Sequence, residues 1–412
     1  MTSFNTSNPA AVPVPANYCR IGPLSPYIEG FAAFLAPNGY HPFTLHTKFE
    51  LASDLSEWLK RRRVPLAEVT EKHLKPFYVQ RHRGRRRGDS ITELQLFRFL
   101  REQSCIPAPK IDHSALGRLI QDYERFLSSE RGLVHATLAY HRPFVRRFLI
   151  AHFGNQPLCL ADLRVQDLQR FILHETKRTS MGQVRHTIQV LRSFLRFLLQ
   201  HGVIKNDLAE ALPTSAHWRL SHLPKSLPPD QIKRILACCE RLTPTGRRDY
   251  VILLILARLG LRAGEVVAMT LDDLDWENGE ILVRGKGLRH DRLPMPQDVG
   301  KAIVDYLRHD RPASPTRRLF IRMLAPKCGF MATGAINDLV RRALKRAGLD
   351  PKFKGSSLFR HSLATNLLSR GASLREIGGI LRHQQLSSTQ IYAKVDIKAL
   401  RGIALPWLGG VR

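Results

Sequence analysis

LRHQQLSSTQIYAKVD, residues 381–396, sets one phenol, Tyr392, among serines, glutamines and a threonine, nine residues after His383. A lone tyrosine is ordinarily a half-buried ring, so this stretch alone assigns Tyr392 nothing beyond packing. The segments upstream change its company. SSLFRHSLATNLL (356–368) puts Ser357, Arg360, His361 and Ala364 along one helical face. GLRAGEV (260–266) places Arg262 just after an apolar run, with Glu265 three residues on. GEILVRGKGLRHDRLPMP (279–296) reads as short strands joined by a Gly-Lys-Gly turn with Lys286 at its tip.

Global composition narrows the class. The 412 residues suffice for two or three domains, and 43% apolar content is that of a globular chain. No stretch approaches the roughly 20 apolar residues needed to cross a bilayer, and MTSFNTSNPAAVPVPANY has neither the basic start nor the apolar run of a secretory signal. The six cysteines lack metal-ligand spacing and read as reduced thiols of a cytoplasmic, nucleoid-associated bacterial protein. Charge is the loudest signal. Sixty-four Lys+Arg against 35 Asp+Glu give a formal +29, which calls for a polyanionic partner, most often nucleic acid. A ribosomal or merely basic protein is the bland alternative. A membrane surface fits less well, because no apolar anchor accompanies the charge.

The chain divides by composition. Residues 1–25 read as a flexible tail, and 26–110 as an N-terminal basic helical arm domain. From Lys60 to Arg87, 11 of 28 residues are Lys or Arg, opposed within the window only by Glu68 and Glu71. Arg85, Arg86 and Arg87 close this block. It is either a solvated face or a surface for a phosphate backbone. Helices follow over about 116–127 and 135–152. A better delimited one starts at Ser180, with Gln183 three residues on, and stops at Gly202. Its apolar stripe is Val184, Ile188, Leu191, Leu195 and Leu198. Arg185, Arg192 and Arg196 stand on another face and are candidate DNA contacts. Prolines 213, 224, 228 and 229 mark a linker over 211–229. Beyond it, helices are expected over 230–260 and at about 297–309, 332–348, 357–370, 373–381 and 387–394.

Several chemistries are missing: no Walker loop, no H-E-x-x-H, no paired CxxC and no nucleophile elbow. The acidic DDLD (272–275) lacks partner carboxylates for a two-metal nuclease. What remains is basic residues around one phenol. Arginines hold non-bridging phosphate oxygens, a lysine protonates a leaving oxygen, a hydroxyl attacks, and no metal or other cofactor is required.

In this order and spacing, Arg262, Lys286, Arg360, His383 and Tyr392 resemble the tyrosine recombinase (phage integrase) family over about residues 112–410. Each piece alone is weak; the ordered set is specific. The resemblance implies a mainly α fold with a small antiparallel sheet in the catalytic domain, arranged as a multi-domain DNA clamp. Its parts would be a core-binding (SAM-like) helical domain at 112–210 and a catalytic domain at 230–412. It implies a site-specific recombinase or integrase that cuts and rejoins double-stranded DNA through a 3′-phosphotyrosyl intermediate, in integration, transposition or excision. Arg262 and Arg360 match the family's phosphate clamps, Lys286 its general acid, His383 its phosphate-bonding histidine and Tyr392 its nucleophile. Glu265 matches a structural acid. Two positions depart: Ser357 stands where the family usually has histidine, and Arg382 where glycine is common. Serine cannot exchange a proton near neutral pH as imidazole does, so His361 is a candidate substitute. The implied assembly is a homotetramer on DNA, or a heteromer with related recombinases. The tail, with Trp407, docks on a neighbour or on its own domain. Two rivals stand beside this reading: a recombinase-like binding partner with weak cleavage, and a type IB topoisomerase.

Overall fold

A computed structural model describes residues 21–81, 84–86, 88–108, 112–133, 135–154, 156–213, 223–285 and 289–395. Arg87, Lys286, Trp407, the 1–20 part of the expected tail and the centre of the linker lie outside these residues. Contacts group the chain into two compact units, residues 107–219 and residues 1–106 with 220–412. The described residues are mostly helical, with one three-stranded antiparallel sheet. No helix among them is long and apolar enough to cross a membrane.

The 21–106 segment holds α1 (Ile28–Leu35), α2 (Pro42–Arg61), α3 (Leu74–Gln80) and α4 (Asp89–Glu102) around Phe31, Phe49, Trp58, Phe97 and Leu100. One link to the rest of its unit is the Lys327 amide, which donates to the Asn38 carbonyl at 2.8 Å. Sequence alone left the basic block nearly unopposed. Tertiary packing brings acids from outside the window instead: Arg81 meets Asp54 and Asp89, Arg85 meets Glu93, and Arg86 meets Glu50. Three arginines of this block are thereby ion-paired within the protein.

The 107–219 unit is built from α5 (Ala115–Ser129), α6 (His135–Phe153), α7 (Val165–Arg178) and α8 (Met181–Gln200). Local chemistry sets the ends of α8. The Ser180 hydroxyl accepts from the Gln183 amide at 3.4 Å, and Gly202 adopts φ 66 just beyond the last turn. The expected stripe from Val184 to Leu198 is buried. Helix α7 was not anticipated. Its apolar signal is short, Leu168, Phe171 and Ile172 at helical spacing, and a buried Glu175 completes the face.

The 220–412 segment contains α9 (Pro229–Ala237), α10 (Pro244–Leu259), α11 (Ala263–Ala268), β1 (Leu274–Asp275), β2 (Glu280–Arg284), β3 (His290–Pro294), α12 (Gln297–His309), α13 (Gly334–Arg346), α14 (Ser357–Ser369) and α15 (Leu374–Ile380). Two expectations fail here. The run 230–260 is two helices, because Thr243 caps a new one, accepting from the Gly246 amide at 3.0 Å, and Pro244 occupies its first turn. The last predicted helix is two short 3-10 turns, Leu386–Ser388 and Gln390–Val395, since its polar sequence carries no helical stripe. Strands β2 and β3 pair antiparallel with Ile281 opposite Leu293 and Val283 opposite Asp291, and Ile281 and Val283 face inward.

Helix α10 is apolar nearly all round, with every residue from Val251 to Leu256 buried, so it runs through the core against α12 and α14. Ile255→Ala in this helix should therefore destabilise by about 2–5 kcal/mol. Met331→Ala, at a position 86% exposed, should stay within about 0.5 kcal/mol of wild type. Urea titration followed by circular dichroism measures both; equal midpoints for the two variants would contradict the packing.

Candidate active site

Helix α10 ends at Gly260, whose φ of 59 is left-handed, and a Cβ there would lie 2.9 Å from Leu381 and 3.0 Å from Leu363. Only glycine suits that turn. The chain then delivers Arg262 to the start of α11. Glu265 fixes it there, its carboxylate accepting from the Arg262 amide at 2.8 Å and from Arg262 Nη1 at 2.8 Å. Arg360, on α14, is 6% exposed. Its Nη1 donates to the Gly260 carbonyl at 2.7 Å and its Nη2 to the Leu381 carbonyl. One guanidinium thus ties the α10–α11 turn and the end of α15 to α14.

Beyond Leu381, Arg382 takes a left-handed φ of 53, a conformation that costs a residue with a Cβ about 1–2 kcal/mol. Its Nη2 donates to Glu265 Oε2 at 2.6 Å, and its Nε lies 3.6 Å from Asp291 of β3. His383 Nδ1 sits 2.8 Å from the hydroxyl of buried Thr389. Ser357 is exposed at the first turn of α14.

These residues line one open cleft of about 720 Å³: Arg262, Ser357, Arg360, His361, Arg382 and His383, with Glu265, Asp291 and the hairpin residues Gly285 and Arg289 at its edges. Lys286 follows Gly285 in sequence but lies outside the described residues. Tyr392 belongs to the Gln390–Val395 turn and is 1% exposed. Its hydroxyl lies 2.9 Å from Nδ1 of His361, which itself faces the cleft. The histidine weighed only as a substitute is therefore the direct partner of the phenol.

The electrostatics follow from burial among cations. Desolvation lowers Arg360 to about 10, still charged at neutral pH. Burial, then Arg360 and Arg262, lowers His383 to about 4. Burial, then Arg360, also lowers His361, so both imidazoles are neutral at pH 7 and each has a lone pair to offer. Burial pushes Tyr392 up to about 12 against the pull of Arg360, so the resting phenol keeps its proton.

The other predicted contacts lie elsewhere. Arg185, Arg192 and Arg196 stand on α8, where Arg196 is exposed. Arg192 Nη2 donates to the Leu212 carbonyl at 3.1 Å and thereby braces the chain after α8. Arg85 and Arg86 carry the ion pairs described above. The DDLD carboxylates are engaged by arginines: Asp272 by Arg317, Asp273 by Arg284 and Asp275 by Arg292. Among the described residues no group of three or more His, Cys, Asp or Glu is placed to hold a metal. Arg382, the smaller of the two departures in the sequence, is thus placed in the cleft with the predicted site residues.

Residues 225–398 match the model of the phage integrase family. A Sinorhizobium fredii protein named as an integrase/recombinase, y4rA, is 42% identical over 391 residues, covering 94% of this chain and 95% of its own. The tyrosine recombinase XerD of Lacticaseibacillus casei is 30% identical over 285 residues, covering 68% and 94%. Two solved structures share the fold at 18% identity. XerH site-specific recombinase bound to its palindromic difH substrate has a TM-score of 0.55 over 74% of this chain and 92% of its own. The Tn1549 transposon integrase in complex with a circular intermediate DNA has 0.52 over 68% and 99%. With a relative 42% identical over nearly the whole chain, and an arginine–histidine cleft beside a buried tyrosine, the chain belongs to the phage integrase family of tyrosine recombinases.

Proposed function

We propose that this recombinase cuts and rejoins double-stranded DNA with Tyr392 as nucleophile. The observation that carries the reading is the Tyr392 hydroxyl 2.9 Å from a neutral imidazole beside a cleft lined by arginines. In the proposed step Tyr392 Oη attacks the scissile phosphorus and gives its proton to His361 Nδ1. The bond to the 5′ oxygen breaks, and Lys286 protonates that oxygen. The products are a 3′-phosphotyrosyl bond and a free 5′ hydroxyl, whose attack in reverse rejoins the strand. Arg262 and Arg360 hold the non-bridging oxygens. His383 donates to one through Nε2 while Thr389 holds its Nδ1. Guanidinium charge stabilises the pentacoordinate phosphorus, so the reaction needs no metal. Because the resting phenol is buried, attack requires the Gln390–Val395 turn to bring it forward.

Ser357 leaves the site without the usual second-arginine histidine, but His361 supplies an imidazole to the phenol directly, which weighs against a binding partner that does not cut. Residues 112–210 act as the core-binding domain and 230–412 as the catalytic domain, with 26–110 as an additional basic arm. Arg185 and Arg196 contact the DNA backbone. Four protomers assemble on two sites and exchange strands in pairs, the reaction serving integration, excision or transposition of a mobile element.

Three measurements test this. Tyr392→Phe removes one oxygen and keeps the ring; on a nicked suicide duplex it should form no covalent complex while retaining wild-type affinity in filter binding. A persistent covalent complex would exclude Tyr392 as the nucleophile.

The second concerns His361. An acceptor that is neutral above its lowered pKa gives a single-turnover rate that is flat from about pH 7 upward and falls only in acid. His361→Ala should be slower by about 10²–10⁴ at pH 7. Its rate should climb roughly tenfold per pH unit, because the phenol must then ionise unaided. Parallel pH profiles for the two proteins would remove His361 from the step.

The third isolates leaving-group protonation. Lys286→Ala should lose about 10²–10⁴ in cleavage rate. It should recover most of that loss on DNA with sulfur as the 5′-bridging atom, since a thiolate leaves without a proton. Equal loss on both substrates would refute the acid role.

A further inference from the structure

We propose that Arg382 is a third guanidinium contact to the scissile phosphate, an inference that rests on the cleavage reading above. The residue is held in an unusual way. Its φ of 53 is left-handed, and its side chain is only 8% exposed although it lines the open cleft. One edge is anchored, Nη2 donating to Glu265 Oε2 at 2.6 Å. The remaining donors are not satisfied. Nη1 has no hydrogen-bond partner among the described residues, and Nε has only the Asp291 carboxylate at 3.6 Å, outside hydrogen-bonding range. Both donors are buried as well as unpaired, and a buried cation in that state is costly unless an anion completes it.

The charge of the cleft points to the same ligand. Arg262, Arg289, Arg360 and Arg382 stand against Glu265 and Asp291 among the described residues that line it, leaving two positive charges uncompensated. A phosphodiester brings one negative charge, rising to two at the pentacoordinate stage. Arg360 has two of its donors fixed on backbone carbonyls, so the unpaired Nη1 and Nε of Arg382, turned toward a phosphate entering the cleft, add donors where the charge develops. Glu265 holds Arg262 and Arg382 on its two oxygens and presents both toward one anion.

The test is single-turnover formation of the covalent complex on nicked duplexes. One carries an ordinary scissile phosphate, the other a methylphosphonate in which a methyl group replaces one charged oxygen. Arg382→Gly suits the experiment because glycine adopts the left-handed turn without strain and Glu265 keeps its two bonds from Arg262; its melting temperature is measured alongside, so that lost stability from the broken pair is separated from lost rate. Its rate on the phosphate should fall about 10²-fold, the usual loss for one oxyanion donor. The loss on methylphosphonate should be less than tenfold, and Arg382→Lys should fall between. A purely bracing role through Glu265 predicts that Arg382→Gly is silent once Arg262→Ala is present; that result, or equal loss on both substrates, overturns the proposal. Wild-type rates for Arg382→Gly with a Tyr392-dependent complex overturn this inference alone. Absence of that complex in the wild type overturns the cleavage reading and this with it.

Discussion

The buried guanidinium of Arg360 organises everything around it. Its carbonyl acceptors, Gly260 and Leu381, belong to segments 121 residues apart in sequence, and each is followed directly by residues of the site. Arg262 comes two positions after Gly260, Arg382 and His383 follow Leu381, and His361 follows Arg360 itself. One side chain thus sets the register of three segments. An arginine 6% exposed pays heavily in desolvation, and two charge-assisted bonds to carbonyls offset part of that cost. The close turn at Gly260, with Leu363 and Leu381 packed where a Cβ would stand, is the steric counterpart of the same joint.

Burial, against the pull of Arg360, leaves the resting phenol of Tyr392 protonated. Tyr392 at about 12 against a neutral solution means that ionising it unaided costs about 7 kcal/mol at pH 7. Burial, reinforced by the arginines, keeps His361 and His383 neutral, which is what allows them to accept or donate in the proposed step. Arg360 lowers both the phenol and the imidazoles, while burial acts on them in opposite directions. The phenol is therefore not set for spontaneous ionisation.

The eleven Lys and Arg over residues 60–87 overstate what that block leaves free to meet DNA. Arg81, Arg85 and Arg86 are engaged by acids from α2 and α4, and Arg192 braces backbone carbonyls after α8. Counting charges along a window treats each as solvated, whereas a carboxylate several turns away in sequence neutralises it once helices pack. Arg196 on α8, by contrast, remains exposed.

The sequence by itself determined the features whose causes are local. Helix α8 was legible because its stripe, its Ser180 cap and its terminal glycine all lie within its own residues. The hairpin was legible from two short strands around glycines, and the ordered basic residues around one tyrosine were legible as spacing. Tertiary structure decided what depends on partners far apart in the chain. The contact between Tyr392 and His361 spans 31 positions and that between Arg382 and Glu265 spans 117. No periodicity encodes such pairs, because they depend on α14 packing on α10 and α15 on α14. The break at Thr243–Pro244 and the 3-10 turns carrying Tyr392 lie between these cases: their signals are local but weak, and the surrounding packing selected the conformation.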